Sequence, residues 1–333
     1  MRCQPMTRLV PPSRLISTSA SITSTAKGQC DSIDRIKESE EEEVTHPDFV
    51  PVKPIITTKS PNPTWTYGIG ITPSVSTGAA EHVEVDPYAP DRSMNSNYKL
   101  LISGIAPRPI GLLSTVSKGG KKNLAPFSYF QVVDHDPPLF IVGFSASSGL
   151  AKDTFKNLVD TSECVINTVS EDMVEAVVAT SIDAPEGVSE WDISGLTQAP
   201  SSTVQPPRVE ESIFSIEGEL VDVKELGVPG QGRSVAATAL IRARRFWVRG
   251  DATNDEVSHI DIEKLRPVAQ LGGMAYARVS EVFDVTRKKW KDEIGGSDFL
   301  QQLQAEQAKG RERDDVNGKI EETQELRAGG SRV

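Results

Sequence analysis

Between Val83 and about Asp284 apolar residues are dense and fall into short runs with a strand-like pattern. "PIGLLSTVS" (Pro109 to Ser117) and "LAPFSYFQVVD" (Leu124 to Asp134) are rich in β-formers. They are joined by "KGGKK", whose Gly119 and Gly120 can take the positive φ angles of a tight hairpin. "PLFIVGFSA" (Pro138 to Ala146) is nearly all apolar, the pattern of a strand buried on both faces. "KDTFKNLVD" (Lys152 to Asp160) sets Phe155, Leu158 and Val159 at helical spacing, which predicts a short amphipathic helix. Strand "ECVINTV" and helix "EDMVEAVVAT" follow, then two long strand patterns, "FSIEGELVDV" and "SVAATALIRARRFWV". Strands outnumber helices and mostly succeed one another without helical crossovers. The expected fold is therefore mainly β with short helices, an antiparallel barrel in preference to a doubly wound sheet.

Outside that region the pattern fades. The first thirty residues carry Arg2, Arg8, Arg14 and Lys27, many Ser and Thr, and no acidic residue, the composition of an organellar transit peptide. Pro11 and Pro12 interrupt any amphipathic helix there, and a plain disordered tail has the same composition. The expected location is cytoplasmic, with mitochondrial import as the alternative. Residues 31–43 reverse the charge and end in "ESEEEE", a self-repelling solvated run. From Val44 to about Ser76 prolines recur, and "PNPTWTYGIGI" reads as part of an extended arm anchored on the folded body by Trp65 and Tyr67. Beyond Asp284 the chain is highly charged, with Phe299, Leu300 and Leu303 as one short helical face. Three regions follow: a disordered or extended 1–82, a folded 83–284, and a charged, partly helical or disordered tail 285–333.

Charge and composition remove several classes of function. A net charge of −11 without a basic cluster argues against a nucleic-acid partner. No apolar run approaches the ~20 residues needed to cross a bilayer as a helix, so no membrane role is expected. Cys3, Cys30 and Cys164 are odd in number and widely spaced, which fits neither a disulfide framework nor a CxxC metal site. No GxxxxGK[ST] is present. "GVPGQG" (Gly227 to Gly232) opens no helix and reads as a surface turn, and "GFSAS" (Gly143 to Ser147) lacks the second glycine of a nucleophile elbow. The four histidines show no metal-ligand spacing, and no metal is expected.

Two stretches carry candidate chemistry. Lys152, Asp153 and Thr154 open a helix directly after a strand and a small-residue loop. Free N–H groups, the positive end of the helix dipole, a lysine charge and a threonine hydroxyl would together favour a phosphate. Ser114, Thr115, Asn123 and Ser128 would line hydrogen-bonding edges of the glycine-turn hairpin, where Ala125 and Pro126 leave room for a flat heteroaromatic ligand. The same residues also suit a capped helix start and a half-buried hairpin, and spacing alone does not separate the two.

In order along the chain, "APRPIGLLSTVSKGGKKNLAPFSYF", "DHDPPL", "KDTFKN", "ECVIN", "SEWDISGLT", "PPRVEES" and "LGGMAY" resemble the flavin reductase-like family of FMN-binding split-barrel proteins over about residues 90 to 282. The resemblance implies a six-stranded Greek-key split barrel and a homodimer with FMN in a groove at or near the dimer interface. It implies that Ser114, Thr115 and Val116, with Asn123, Ala125 and Ser128, face the flavin ring. It also implies that Lys152, Asp153, Thr154 and Asn157 hold the phosphate. Arg108, in the family's "RPI", would approach cofactor or substrate, or tie strand to arm. The sequence departs from the family at "QLGGMAY", where many relatives read "RLGG": Gln270 replaces arginine, and Arg266 lies four residues earlier. The implied function is FMN-dependent oxidation and reduction, by hydride transfer from NAD(P)H to a flavin or by flavin-dependent oxygenation. The alternative is an FMN-holding electron carrier without nicotinamide turnover. No catalytic residue is assigned, because the hydride chemistry belongs to the cofactors. His135 would sit either by the substrate or in a structural turn.

Overall fold

In the computed structural model the described residues are 46–51, 54–71, 81–145, 152–182, 184, 188–227, 234–287, 289–290 and 299–307. The chain divides into two units, 1–50 and 51–333. Residues 46–50 of the first are exposed and without regular structure. The sheet and the site belong to the second. The transit-like segment, the acidic run and most of the tail lie outside the described residues.

The glycine-turn hairpin forms as its pattern predicts. Strands β1 (Gly111–Val116) and β2 (Lys122–Phe127) pair antiparallel, from Gly111 opposite Phe127 to Val116 opposite Lys122. In the turn Ser117 N–H donates to Lys121 O at 2.8 Å, and Gly120 adopts φ +82°, a region that disfavours any side chain. Gly119 does not have a positive φ, so one glycine of the pair provides the turn conformation.

The second apolar run is not one strand. It breaks after Phe127 and restarts as β3 (Phe130–His135), which pairs with β4 (Pro138–Ser145) at the far edge of the sheet. With β5 (Glu163–Thr168), β6 (Phe214–Gly227) and β7 (Ser234–Val248), the order is β2-β1-β5-β6-β7-β4-β3, and every ladder is antiparallel. The break supplies a seventh strand where six were expected.

That break also forces the sheet to close. Seven strands laid flat would separate the outer two by about 29 Å, at ~4.8 Å per step. Yet Phe127 on one edge and Phe130 on the other are joined through Ser128 and Tyr129, a span of at most about 11 Å. The sheet must curl until its edges meet, and among the described residues no ladder joins those edges. The result is a split barrel. Where the edges meet, a Cβ on Gly111 would come within 3.0 Å of the Phe130 ring, so any side chain there would have to push the ring aside.

Alternation along β1 and β2 makes two cores. Leu113 and Phe127 face the barrel interior with Phe140, Val142, Ile166 and Ile241. Leu112 and Leu124 face outward, where Val177 of helix α3 (Val174–Ala179) and Trp191 of helix α4 (Glu190–Ser194) cover them. Two further helices matter: α1 (Met94–Gly104), which the sequence reading overlooked, and α2 (Asp153–Thr161). In α2 the buried residues are Thr154, Asn157 and Leu158, while Val159 is exposed; the helix packs through a partly polar face instead of the apolar face expected. Nor is β4 buried on both faces. Its exposure alternates from Phe140 to Ser145 and leaves Ile141 at the surface, because only β3 flanks it on the outer side.

The arm and the tail hold each other. Ile56–Thr58 pairs in parallel with Glu281–Phe283. Trp65 donates from Nε1 to Gly70 O at 2.6 Å and meets Tyr67 edge-on, and Tyr67 stacks on Phe299 at 6.0 Å. Of the two expected anchors, Tyr67 docks on the C-terminal helical segment, residues 299–307, where Phe299 and Leu300 are half-buried and Leu303 is exposed, while Trp65 packs against Tyr67.

A buried carboxylate secures the loop before β6. Glu217 accepts hydrogen bonds from Ser202 N–H (2.8 Å), Thr203 N–H (2.6 Å), Trp247 Nε1–H (2.6 Å) and the Thr203 hydroxyl. Burial pushes its carboxyl up, but the bonds from Thr203, Ser202 and Trp247 outweigh this and hold it below the usual carboxylate range. Because the folded value lies below the unfolded one, its stabilisation is complete above about pH 4.3 and is lost as pH falls through the folded value. Glu217→Gln should lower the melting temperature by several degrees at neutral pH. Thermal melts should show its gap to the wild type narrowing once pH drops below about 4.

Candidate functional site

The start of α2 has no side-chain cap among the described residues. Lys152 is the N-cap residue, with φ −59° and ψ 143°. The first bond of the helix runs from Lys156 N–H to Lys152 O (3.0 Å), so the N–H groups of Asp153, Thr154 and Phe155 precede it and have no partner within the helix. Asp153 is exposed. It favours the helix dipole and would oppose a second anion beside it.

Beneath this turn four polar residues satisfy one another. Asn123 Nδ2 donates to Thr154 Oγ1 at 2.8 Å and approaches Thr115 Oγ1 at 3.5 Å, and Asn157 Nδ2 donates to Thr115 Oγ1 at 3.2 Å. All four are buried. The bonds tie α2 to the hairpin and fix where the helix begins. Four residues scattered over the sequence, all expected at the site, are thus brought together. Their common contact is with each other.

Ser114 and Val116 lie on the opposite face of β1, alternating with Thr115 as strand geometry requires. Both are buried; Ser114 is opposite Leu124, whose side chain belongs to the outer core. Ala125 packs against the interior core.

A cavity of about 810 Å³ opens beside the α2 start. Lys152, Pro126, Phe127, Ser128 and Ser145 line one side, and Met94, Tyr98, Leu101 and Ile102 of α1 line the other. The Lys152 ammonium stands 5.4 Å from the centre of the Phe127 ring. Among the described residues, Arg108 and Lys152 are the two cations of the lining, which contains no carboxylate.

Arg108 is 5% exposed and holds α1 in place. Its Nη1 donates to Ile102 O and to Ile105 O (2.8 Å), its Nη2 to Gly272 O (3.3 Å), and its Nε to Ser128 Oγ (3.3 Å). The two α1 carbonyls lie at the negative end of that helix, which has no basic residue in its last turn. Its hydrogen-bond partners lie in α1, at Ser128 and at Gly272 and not in the extended arm suggested by the sequence, and it also borders the cavity.

Gln270 stands directly opposite Arg108 in the ladder between Val268–Gln270 and Arg108–Pro109, lines the cavity, and donates from Nε2 to Gly273 O at 3.0 Å. Arg266 does not take over the missing arginine's place: its guanidinium pairs with the buried Glu171 carboxylate. His135 is exposed at the end of β3 beside Asp134 and does not line the cavity. Cys164 is buried, and burial, with the Glu163 charge, pushes its thiol up to about 12, which leaves it unreactive.

The residues the sequence reading missed are those of α1. A signal existed: Ser93 caps the helix by accepting from Ser96 N–H (2.9 Å), and Tyr98, Leu101, Ile102 and Ile105 follow at helical spacing.

The family profile described as "Flavin reductase like domain" matches residues 103–255. An uncharacterised protein of Halalkalibacterium halodurans is 39% identical over 199 residues, 59% of this chain and 92% of the relative. The chain belongs to the flavin reductase like family. Among solved structures, nitrilotriacetate monooxygenase component B from Bacillus cereus is 30% identical with a TM-score of 0.58, covering 62% of this chain and all of the other. The 2-nitrobenzoate 2-nitroreductase of Pseudomonas fluorescens is 25% identical with a TM-score of 0.53, covering 60% of this chain and 93% of the other. In this member the α2 start rests on the buried polar knot. Asn123→Leu should therefore cost about 1–3 kcal/mol by leaving Thr154 Oγ1 without its donor, while Thr115 Oγ1 keeps the bond from Asn157, measured as a shift of the urea midpoint.

Proposed function

We propose that this chain is an FMN-dependent oxidoreductase that takes hydride from NAD(P)H. The observation that carries the reading is the uncapped start of α2, with its lysine, on the wall of a cavity lined by apolar side chains and hydroxyls. The donor set fits flavin mononucleotide. A lysine charge and N–H groups at a helix N-terminus suit a phosphate dianion, Pro126 and Phe127 suit a flat ring, and Ser128 and Ser145 suit its polar edge. The volume lies within the ~300–1,000 Å³ typical of small-molecule sites.

When bound, the flavin supplies the capacity to accept a hydride from a reduced nicotinamide and pass electrons onward. The chain's own work is to bind, orient and exclude water. Lys152 and the α2 N–H groups would hold the phosphate. Ser128 Oγ accepts from Arg108, so its own proton is free to donate to a ring heteroatom. Met94, Tyr98, Leu101 and Ile102 of α1 would flank the face where a nicotinamide docks.

The reading extends to a homodimer. Strand β3 is a sheet edge, and Val132 and Val133 on it are 53% and 54% exposed, a surface that a second copy would cover. Sedimentation should give twice the chain mass.

Anaerobic addition of NADH or NADPH to the FMN-loaded protein should bleach its visible band. Persistence of the band with both donors would refute the nicotinamide step. Lys152→Met should weaken FMN at least about ten-fold while leaving riboflavin unchanged, because only FMN carries the phosphate. Equal weakening of the two flavins in calorimetric titrations would show that Lys152 does not meet the phosphate.

A further inference from the structure

Arg108 is a buried cation without a carboxylate partner. A guanidinium has five N–H donors, and four hydrogen bonds are made: two from Nη1, one from Nη2 and one from Nε. Three go to backbone carbonyls and one to a hydroxyl. The α1 C-terminus offsets about half a charge. One Nη2 hydrogen and the rest of the positive charge remain unmatched in a residue that is 5% exposed. Burying such a charge is costly unless it is paired.

The surroundings define what would pair with it. Arg108 borders the 810 Å³ cavity, whose lining has no acidic side chain, in a chain with a net charge of −11. On the α1 side the wall is apolar and aromatic, and its side chains reach into open space: Tyr98 is 48% exposed, Leu101 59% and Met94 80%. Gln270 opposite Arg108 is neutral, so the unmatched charge on this side is a single one. Lys152 serves the other side, next to α2.

We propose that the cavity seats a second ligand beside the flavin, an aromatic carboxylate, with its carboxylate on the remaining Nη2 hydrogen of Arg108 and its ring against Tyr98 and Leu101. A monoanion matches one uncompensated cation, and a flat apolar body matches the α1 wall. This rests on the flavin reading, since the flavin takes the Lys152 side of the same cavity. It makes Arg108 a group that selects for ligand charge and α1 the element that selects for shape.

The test uses benzoate and its neutral isostere benzamide, titrated calorimetrically into the FMN-loaded protein, with perturbation of the visible flavin band as a second readout. Benzoate should bind at least about ten-fold more tightly than benzamide and should shift the band. Arg108→Met should bring the ratio to about one. Should that variant not fold, Tyr98→Ala serves instead: it should weaken both ligands by a similar factor and leave the ratio unchanged. Equal affinity of benzoate and benzamide for a wild-type protein that retains its flavin band overturns the inference alone. A colourless protein that FMN cannot reconstitute overturns the flavin reading and this inference with it.

Discussion

Two residues, Ser128 and Tyr129, connect the opposite edges of a seven-stranded sheet, and the architecture follows from that short bridge. A chain of this reach cannot span an open sheet, so the sheet curls and its edges face each other without hydrogen bonding. Tyr129 O accepts from Gly143 N–H at 2.7 Å, which fastens the bridge to β4. A Cβ at residue 143 would approach Tyr129 Cβ to 3.0 Å, so a side chain there would crowd the fastening. The cavity lies at the bridge, with Ser128, Tyr129 and Gly143 in its lining. The closure of the sheet and the cavity therefore coincide.

Polar residues around the opening divide into two groups. Thr115, Asn123, Thr154 and Asn157 are buried and engaged with one another, which fixes the position of α2 and the direction of its dipole. Lys152, Ser128 and Ser145 line the cavity and are available to a ligand. The first group makes the second effective, since an unsupported helix start would hold its N–H groups in no defined direction. Both groups have residue types that suit phosphate binding, and burial tells them apart. Within the "KDTxxN" stretch, Thr154 and Asn157 therefore do packing work, whatever Lys152 binds.

Much of this was legible in local sequence. The glycine turn, the alternation of β1 and the opening of α2 each depend on residues within a few positions of each other. The break at Ser128 was not legible, because "PFSYFQV" offers only a lone serine at that point, with no glycine or Asx-Gly pair, and otherwise continues a strand pattern. The separation of Ser114 from Thr115 follows from a period of two and was available, but a resemblance that treats a motif as a block obscures it. Arg108 was beyond local reading. Its partners Ser128 and Gly272 lie 20 and 164 residues away, and only the closed barrel brings them to it.

The substitution at residue 270 gains its meaning from the same closure. The strand register sets Gln270 across from Arg108, so an arginine there would place two guanidinium groups side by side at the cavity wall, each raising the cost of burying the other. With glutamine the wall keeps one charge, and the amide closes a short loop onto Gly273 O. Arg266 cannot restore the second charge, because its ion pair with Glu171 and the bond from Glu171 N–H to Arg266 O (3.0 Å) hold it elsewhere. At Arg108 the cavity wall is therefore less positive than the family pattern implies.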